Sequence, residues 1–92
     1  MSRSLHTHQY AIFRTLLIAA RQDSGLTQVQ IAASLNKPQS FISKYERGER
    51  RLDFAEFIEL ASVLNIDAVA FIAAYQAALV TKAHVSRYAH PK

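Results

Sequence analysis

Apolar residues return every third or fourth position through most of this chain, and no stretch alternates long enough to suggest a strand. From about Thr7 to Asp23, Phe13, Leu16, Leu17 and Ala20 recur at helical spacing, and Gly25 supplies a left-handed stop just beyond. A second helix opens on Thr27-Gln28-Val29-Gln30, a capping box in which two side chains satisfy end amides reciprocally. It ends near Leu35, where Asn36 tolerates the turn conformation. Pro38 suits the first turn of a third helix, because its missing N–H would have no partner there, and Gly48 marks that helix's end. Asp53-Phe54-Ala55-Glu56 is a capping box in its Asp form and opens a fourth helix, which stops at Asn65. Asp67 caps a fifth, from Ala68 to about Val80. The pattern predicts an all-α fold of five helices in one domain, residues 1–80. The tail, 81–92, has three readings: an extension of helix five, a contact with a sister subunit, or a frayed end.

Composition narrows the function. The 92 residues are 50% hydrophobic, with no cysteine and two glycines. That removes disulfide scaffolds, zinc fingers, cysteine nucleophiles and glycine-rich phosphate loops together. His6, His8, His84 and His90 sit in the two tails, with no carboxylate at ligand spacing and no supported serine–histidine–acid triad. The expectation is therefore no metal, no cofactor and no enzymatic activity. The opening residues lack the apolar stretch of a secretory leader, and Ala68–Leu79, interrupted by Gln76, is too short to cross a bilayer.

The net charge of +4 is unevenly spread. Residues 1–51 hold eight Lys or Arg against Asp23, Glu46 and Glu49, a net of +5. Residues 52–79 hold Asp53, Glu56, Glu59 and Asp67 and no base, a net of −4, and the tail regains +3. A basic front half and an acidic second half suggest two different partners, although clustering on a solvated surface gives the same tally.

The second and third helices, joined by about three residues, form a helix-turn-helix candidate over 27–47. On a helical wheel at about 100° per residue, Gln39, Ser43, Arg47, Ser40 and Lys44 span roughly 0–140°. Phe41, Tyr45, Pro38 and Ile42 occupy roughly 200–300°, with Glu46 at the boundary near 340°. Glutamine, serine and lysine suit the hydrogen-bonding edges of the major groove. The wheel alone is equally that of an ordinary amphipathic surface helix.

The stretch "LTQVQIAASLNKPQSFISKYERGERRLDFAEFIELASVL", preceded by "ARQDSG", resembles the lambda repressor/Cro-like (xenobiotic-response-element type) helix-turn-helix regulators. The resemblance covers about half the chain and implies a compact five-helix DNA-binding domain. It implies that Gln39, Ser40, Ser43 and Lys44 read bases, that Gln28 binds a phosphate and braces the recognition helix, and that Arg47, Arg50 and Arg51 touch phosphates. It also implies a salt bridge between Arg21 and Glu46, which the wheel supports, since an unpaired carboxylate at a buried boundary is costly. Ala32 and Ile42 read as packing residues, as do Leu17, Ile31, Leu35, Leu52, Phe57, Leu60, Ala61 and Leu64. Val29 stands where the family is usually polar, and Phe41, beside the reading face, reads chiefly as core.

Only Gln76 is polar between Ala68 and Val80, and a helix apolar all round must be covered all round. This predicts a homodimer with Val69, Phe71, Ile72, Tyr75 and Leu79 split between core and interface; the competing reading is a monomeric core closed by this helix. The expected function is a sequence-specific regulator, a repressor on a palindromic operator in double-stranded DNA. It would be cytoplasmic and nucleoid-associated, with no membrane partner. The alternative is an antitoxin or adaptor whose second half binds a different protein.

Overall fold

Every helix begins where a side chain or carbonyl satisfies its free amides. The computed structural model describes residues 7–83, with side chains through 80, and is built from five helices. Helix α1 (His8–Ser24) is capped by Thr7, whose hydroxyl accepts from Tyr10 N at 3.1 Å, and ends on Gly25 at φ 78°. Helix α2 (Gln28–Leu35) carries both halves of its box: Gln30 N to Thr27 Oγ1 at 3.1 Å, Thr27 N to Gln30 Oε1 at 2.9 Å. Asn36 closes it in the left-handed conformation, and Asn65 does the same for α4 (Phe54–Leu64), which the Asp53–Glu56 box opens. Helix α5 (Ala68–Ala83) starts on Asp67, whose Oδ1 accepts from Val69 N and Ala70 N, and runs three residues past the expected end.

The start of the third helix also differs from the sequence reading. Pro38 stands at the N-cap of α3 (Gln39–Glu46), not inside its first turn. Its φ of −70° fits either position, but its ψ of 155° is extended, and its carbonyl accepts from Phe41 N at 3.0 Å. The ring fixes only φ, so the sequence does not distinguish the two.

Helices α2 and α3 pack against each other, α2 against α4, and α1 against α3, α4 and α5. The centre is Leu17, Ile31, Ala32, Ile42, Tyr45, Phe57, Leu60 and Leu64, with Leu35, Leu52 and Phe41 half-buried at its edge. Ala32 is small where the two motif helices meet. Helix α5 joins through aromatic rings: Phe13 meets Phe71 at 5.9 Å and Tyr75 at 6.1 Å, both edge-on, and Phe57 at 5.6 Å. Tyr75 also donates its hydroxyl to the Gln9 carbonyl at 3.2 Å. Among the described residues no single helix is long and apolar enough to cross a membrane, and α4 and α5 meet at a 113° bend. No group of three metal-ligating side chains converges among them either; His6, His84, His90 and the tail beyond 83 lie outside the described residues.

Candidate nucleic-acid interface

A helix that reads DNA must be held from behind while its outer face stays free. Helix α3 is held at three levels. Ile42 and Tyr45 are fully buried on its inner side. Glu46, its last residue, is 7% exposed and takes a forked pair of bonds from Arg21: Nε to Oε2 at 2.7 Å and Nη2 to Oε1 at 3.0 Å. The Arg21 guanidinium, held by this carboxylate, has its pKa raised. Arg14 Nη1 donates to the Glu46 carbonyl at 2.7 Å, a cation on the negative end of the helix dipole.

The same guanidinium shapes the exit from α3. Gly48 turns the chain at φ 82°, and a Cβ there would sit 3.1 Å from Arg14 Nε. Both the backbone conformation and the close approach therefore favour glycine.

From Glu46 the hydrogen bonds continue outward. Gln28 Nε2 donates to Glu46 Oε1 at 2.9 Å, and Gln39 Nε2 donates to Gln28 Oε1 at 3.1 Å. Gln39, Ser40 and Lys44 are exposed on the outer face, and Ser43 is half-buried with its hydroxyl on the Ser40 carbonyl at 3.3 Å. Val29 is exposed on α2. Phe41 lies edge-on to Tyr45 at 6.0 Å and carries two cations over its ring, Lys37 Nζ at 5.0 Å and Arg50 at 4.6 Å. It is thus a half-buried platform for basic side chains at the flank of the reading face.

The three arginines after α3 are not equivalent. Arg47 pairs with Glu49 in a fork at 2.9 and 3.0 Å, both side chains exposed. Arg50 pairs with Glu56 at 2.8 and 3.0 Å, and its guanidinium holds the Glu56 carboxyl below the usual carboxylate range. Arg51 lies over the Tyr10 ring at 5.0 Å. Tyr10 in turn fixes the loop: its hydroxyl donates to the Arg50 carbonyl at 3.2 Å and accepts from Leu52 N at 3.1 Å. Burial pushes that hydroxyl's pKa up against the pull of the Leu52 amide and the neighbouring arginines. Replacing Tyr10 by phenylalanine orphans the Leu52 amide and is expected to cost about 1–2 kcal/mol. Urea unfolding would show a lower midpoint with an unchanged slope.

Sequence reasoning missed Tyr10 and Arg14. Arg14 had a usable signal, since Arg14, Leu17 and Arg21 stand three and four apart, one face of α1 directed at α3. Tyr10 had none, because its partners lie 40 and 42 residues away.

Two short helices set against each other, with the second held from behind and polar in front, define a helix-turn-helix DNA-binding domain. A helix-turn-helix family profile matches residues 17–71. Among solved structures, the XRE-family like protein from Pseudomonas syringae pv. tomato str. DC3000 is 38% identical. The alignment covers 83% of this chain and 93% of that one, with a TM-score of 0.75. A search of curated proteins finds no significant match. The chain belongs to the lambda repressor/Cro-like (xenobiotic-response-element type) helix-turn-helix family and is a DNA-binding transcription regulator.

Proposed function

We propose that this regulator is a repressor that binds a palindromic operator as a homodimer and occludes a promoter, working in the cytoplasm on the nucleoid. The observation that carries the reading is α3 itself: Gln39, Ser40 and Lys44 face solvent on a helix whose opposite side is locked by Ile42, Tyr45 and Glu46. In this reading Gln39, Ser40 and Ser43 discriminate bases, Lys44 adds a long cationic reach, and Gln28 offers its remaining amide N–H to a phosphate. Arg51 supplies a cation with no carboxylate in contact among the described residues, and Arg47 and Arg50 exchange Glu49 and Glu56 for phosphates. Exposed ion pairs are worth little, so that exchange costs little at Arg47.

Exposed apolar side chains support the dimer. Val69 is 76% and Ile72 40% exposed on α5, and Phe54 is 69% exposed on α4. A groove of ≈ 360 Å³ beside them, lined by Tyr10, Phe13, Phe71 and Tyr75, would take an apolar side chain of a second copy. Phe71, Tyr75 and Leu79 are half-buried, so Val69 and Ile72 bear most of the contact in this reading. The same surface would serve a foreign protein in an antitoxin or adaptor.

Selection of bound sequences from random duplex DNA tests the reading. A two-fold site with half-sites about 34 Å apart is expected. Gln39→Ala should cost about 1–3 kcal/mol on that site, whereas Arg51→Ala should weaken specific and random DNA alike and lower the salt slope by about one. Identical behaviour of the two variants would sink the division of labour. A solution mass equal to the monomer at tens of micromolar would sink the dimer, and a stoichiometric foreign protein would favour the adaptor.

A further inference from the structure

Of the chain's nine aromatic residues, four Tyr and five Phe, six line one groove: Tyr10 and Phe13 from α1, Phe54 and Phe57 from α4, Phe71 and Tyr75 from α5. Edge-on and tilted contacts join them, with ring centroids 5.1 to 6.4 Å apart. The groove holds ≈ 360 Å³, at the small end of ligand pockets. Phe54 stays 69% exposed at its mouth, and exposed apolar surface of this kind marks a ligand groove or an interface. One charged side chain stands in the lining, Arg51. Its guanidinium lies over the Tyr10 ring at 5.0 Å, with no carboxylate at ion-pair distance among the described residues. An arginine over a ring still has N–H donors to offer an anion. Tyr10 also ties the groove to the DNA side of the domain. Its hydroxyl holds the Arg50 carbonyl and the Leu52 amide, so the backbone is fixed on both sides of Arg51 while the Arg51 side chain stays exposed.

We propose that this groove binds a small aromatic carboxylate, its ring among the six aromatic side chains and its carboxylate on Arg51, and that the bound ligand takes Arg51 away from DNA. A ring gains edge-on contacts here that an alkyl chain does not. The carboxylate matches the guanidinium fork, and no acidic side chain stands in the lining to repel it. A phosphate asks for the same donors, so ligand and DNA backbone compete for one side chain. The inference rests on the reading of Arg51 as a phosphate contact. It also sets the ligand against a second copy, which in the dimer reading seats an apolar side chain in the same groove.

Cinnamate is the probe, with cinnamamide as its neutral counterpart and octanoate as an anion without a ring. Titrated into the full chain, cinnamate is expected to bind with a Kd of about 10 µM to 1 mM and to move the backbone amide NMR signals of Tyr10, Arg51 and Phe54. Cinnamamide should bind about tenfold more weakly, for want of a charge-assisted pair, and octanoate about threefold more weakly. Arg51→Gln should bring cinnamate and cinnamamide level, whereas Phe54→Ala should weaken both alike. Val69→Glu puts a charge on the exposed face of α5 outside the groove lining, so it should bind cinnamate at least as tightly as the unmodified protein, whatever the oligomeric state. On random duplex DNA, cinnamate at a concentration that fills the groove should weaken the unmodified protein about fivefold and leave Arg51→Gln unchanged. Failure of cinnamate to bind both the unmodified protein and Val69→Glu overturns the proposal, as does equal affinity for cinnamamide or for octanoate. Binding without loss of DNA affinity also overturns it where Arg51→Gln does weaken DNA. If Arg51→Gln leaves DNA affinity untouched as well, the phosphate reading of Arg51 has failed instead.

Discussion

Ile42→Ala is expected to remove about 3–4 kcal/mol of folding stability, the cost of deleting a fully enclosed branched side chain and leaving a void. Ile42 has no exposed surface and lies on the inner side of α3, among Leu17, Ile31, Ala32 and Tyr45. A chain of this size has roughly 5–10 kcal/mol in total, so the loss is a large fraction of the whole. Thermal unfolding should shift down by about 4–8 °C for each kcal/mol lost. Val29→Ala is the control, because Val29 is exposed and a surface change of this kind stays within about 0.5 kcal/mol. DNA affinity should fall in step with the folded fraction, with no change in base preference. A variant as stable as the control would mean that α3 does not depend on this contact.

Arg21→Met should be nearly as damaging, for a different reason. It leaves the Glu46 carboxylate enclosed with only the Gln28 amide to bond it. Removing one member of a buried pair typically costs about 3–5 kcal/mol, more than the intact pair contributes, because the survivor remains an uncompensated charge. Arg21 is half-buried, which places the expectation at the lower end, about 3 kcal/mol. The double variant Arg21→Met, Glu46→Leu removes both charges and should recover much of that loss. Chemical denaturation of the wild type, both single variants and the double variant closes the cycle. Additive losses would show that the forked pair is not coupled.

The features legible in the sequence are those written within four or five residues. Thr27 with Gln30, Asp53 with Glu56, and the left-handed stops at Gly25, Asn36 and Asn65 are local chemistry, and all stand where the pattern puts them. The Arg21–Glu46 fork was reached through the family resemblance, with a carboxylate at the buried edge of a wheel as its physical support. Tyr10 was hidden because its hydroxyl serves a loop 40 residues on. The arginine cluster was visible as charge, but its pairing was not. Whether Arg50 faces Glu56 depends on how α4 leaves the loop, which no count of charges contains. Helix α5 shows the limit most plainly. Its composition says that every side wants cover, and it is the rings of Phe13 and Phe57 and the Gln9 carbonyl that hold Phe71 and Tyr75 inward while Val69 stays exposed.

Helix α1 lies outside the two-helix motif yet supplies Arg14, Leu17 and Arg21 to it. The 27–47 segment is therefore not portable. Cut out as a peptide, or grafted onto another scaffold, it would carry its reading side chains but lose the guanidinium that engages Glu46 and the one that terminates α3. Any attempt to transplant this specificity has to move one face of α1 along with the motif, so two helices do not suffice.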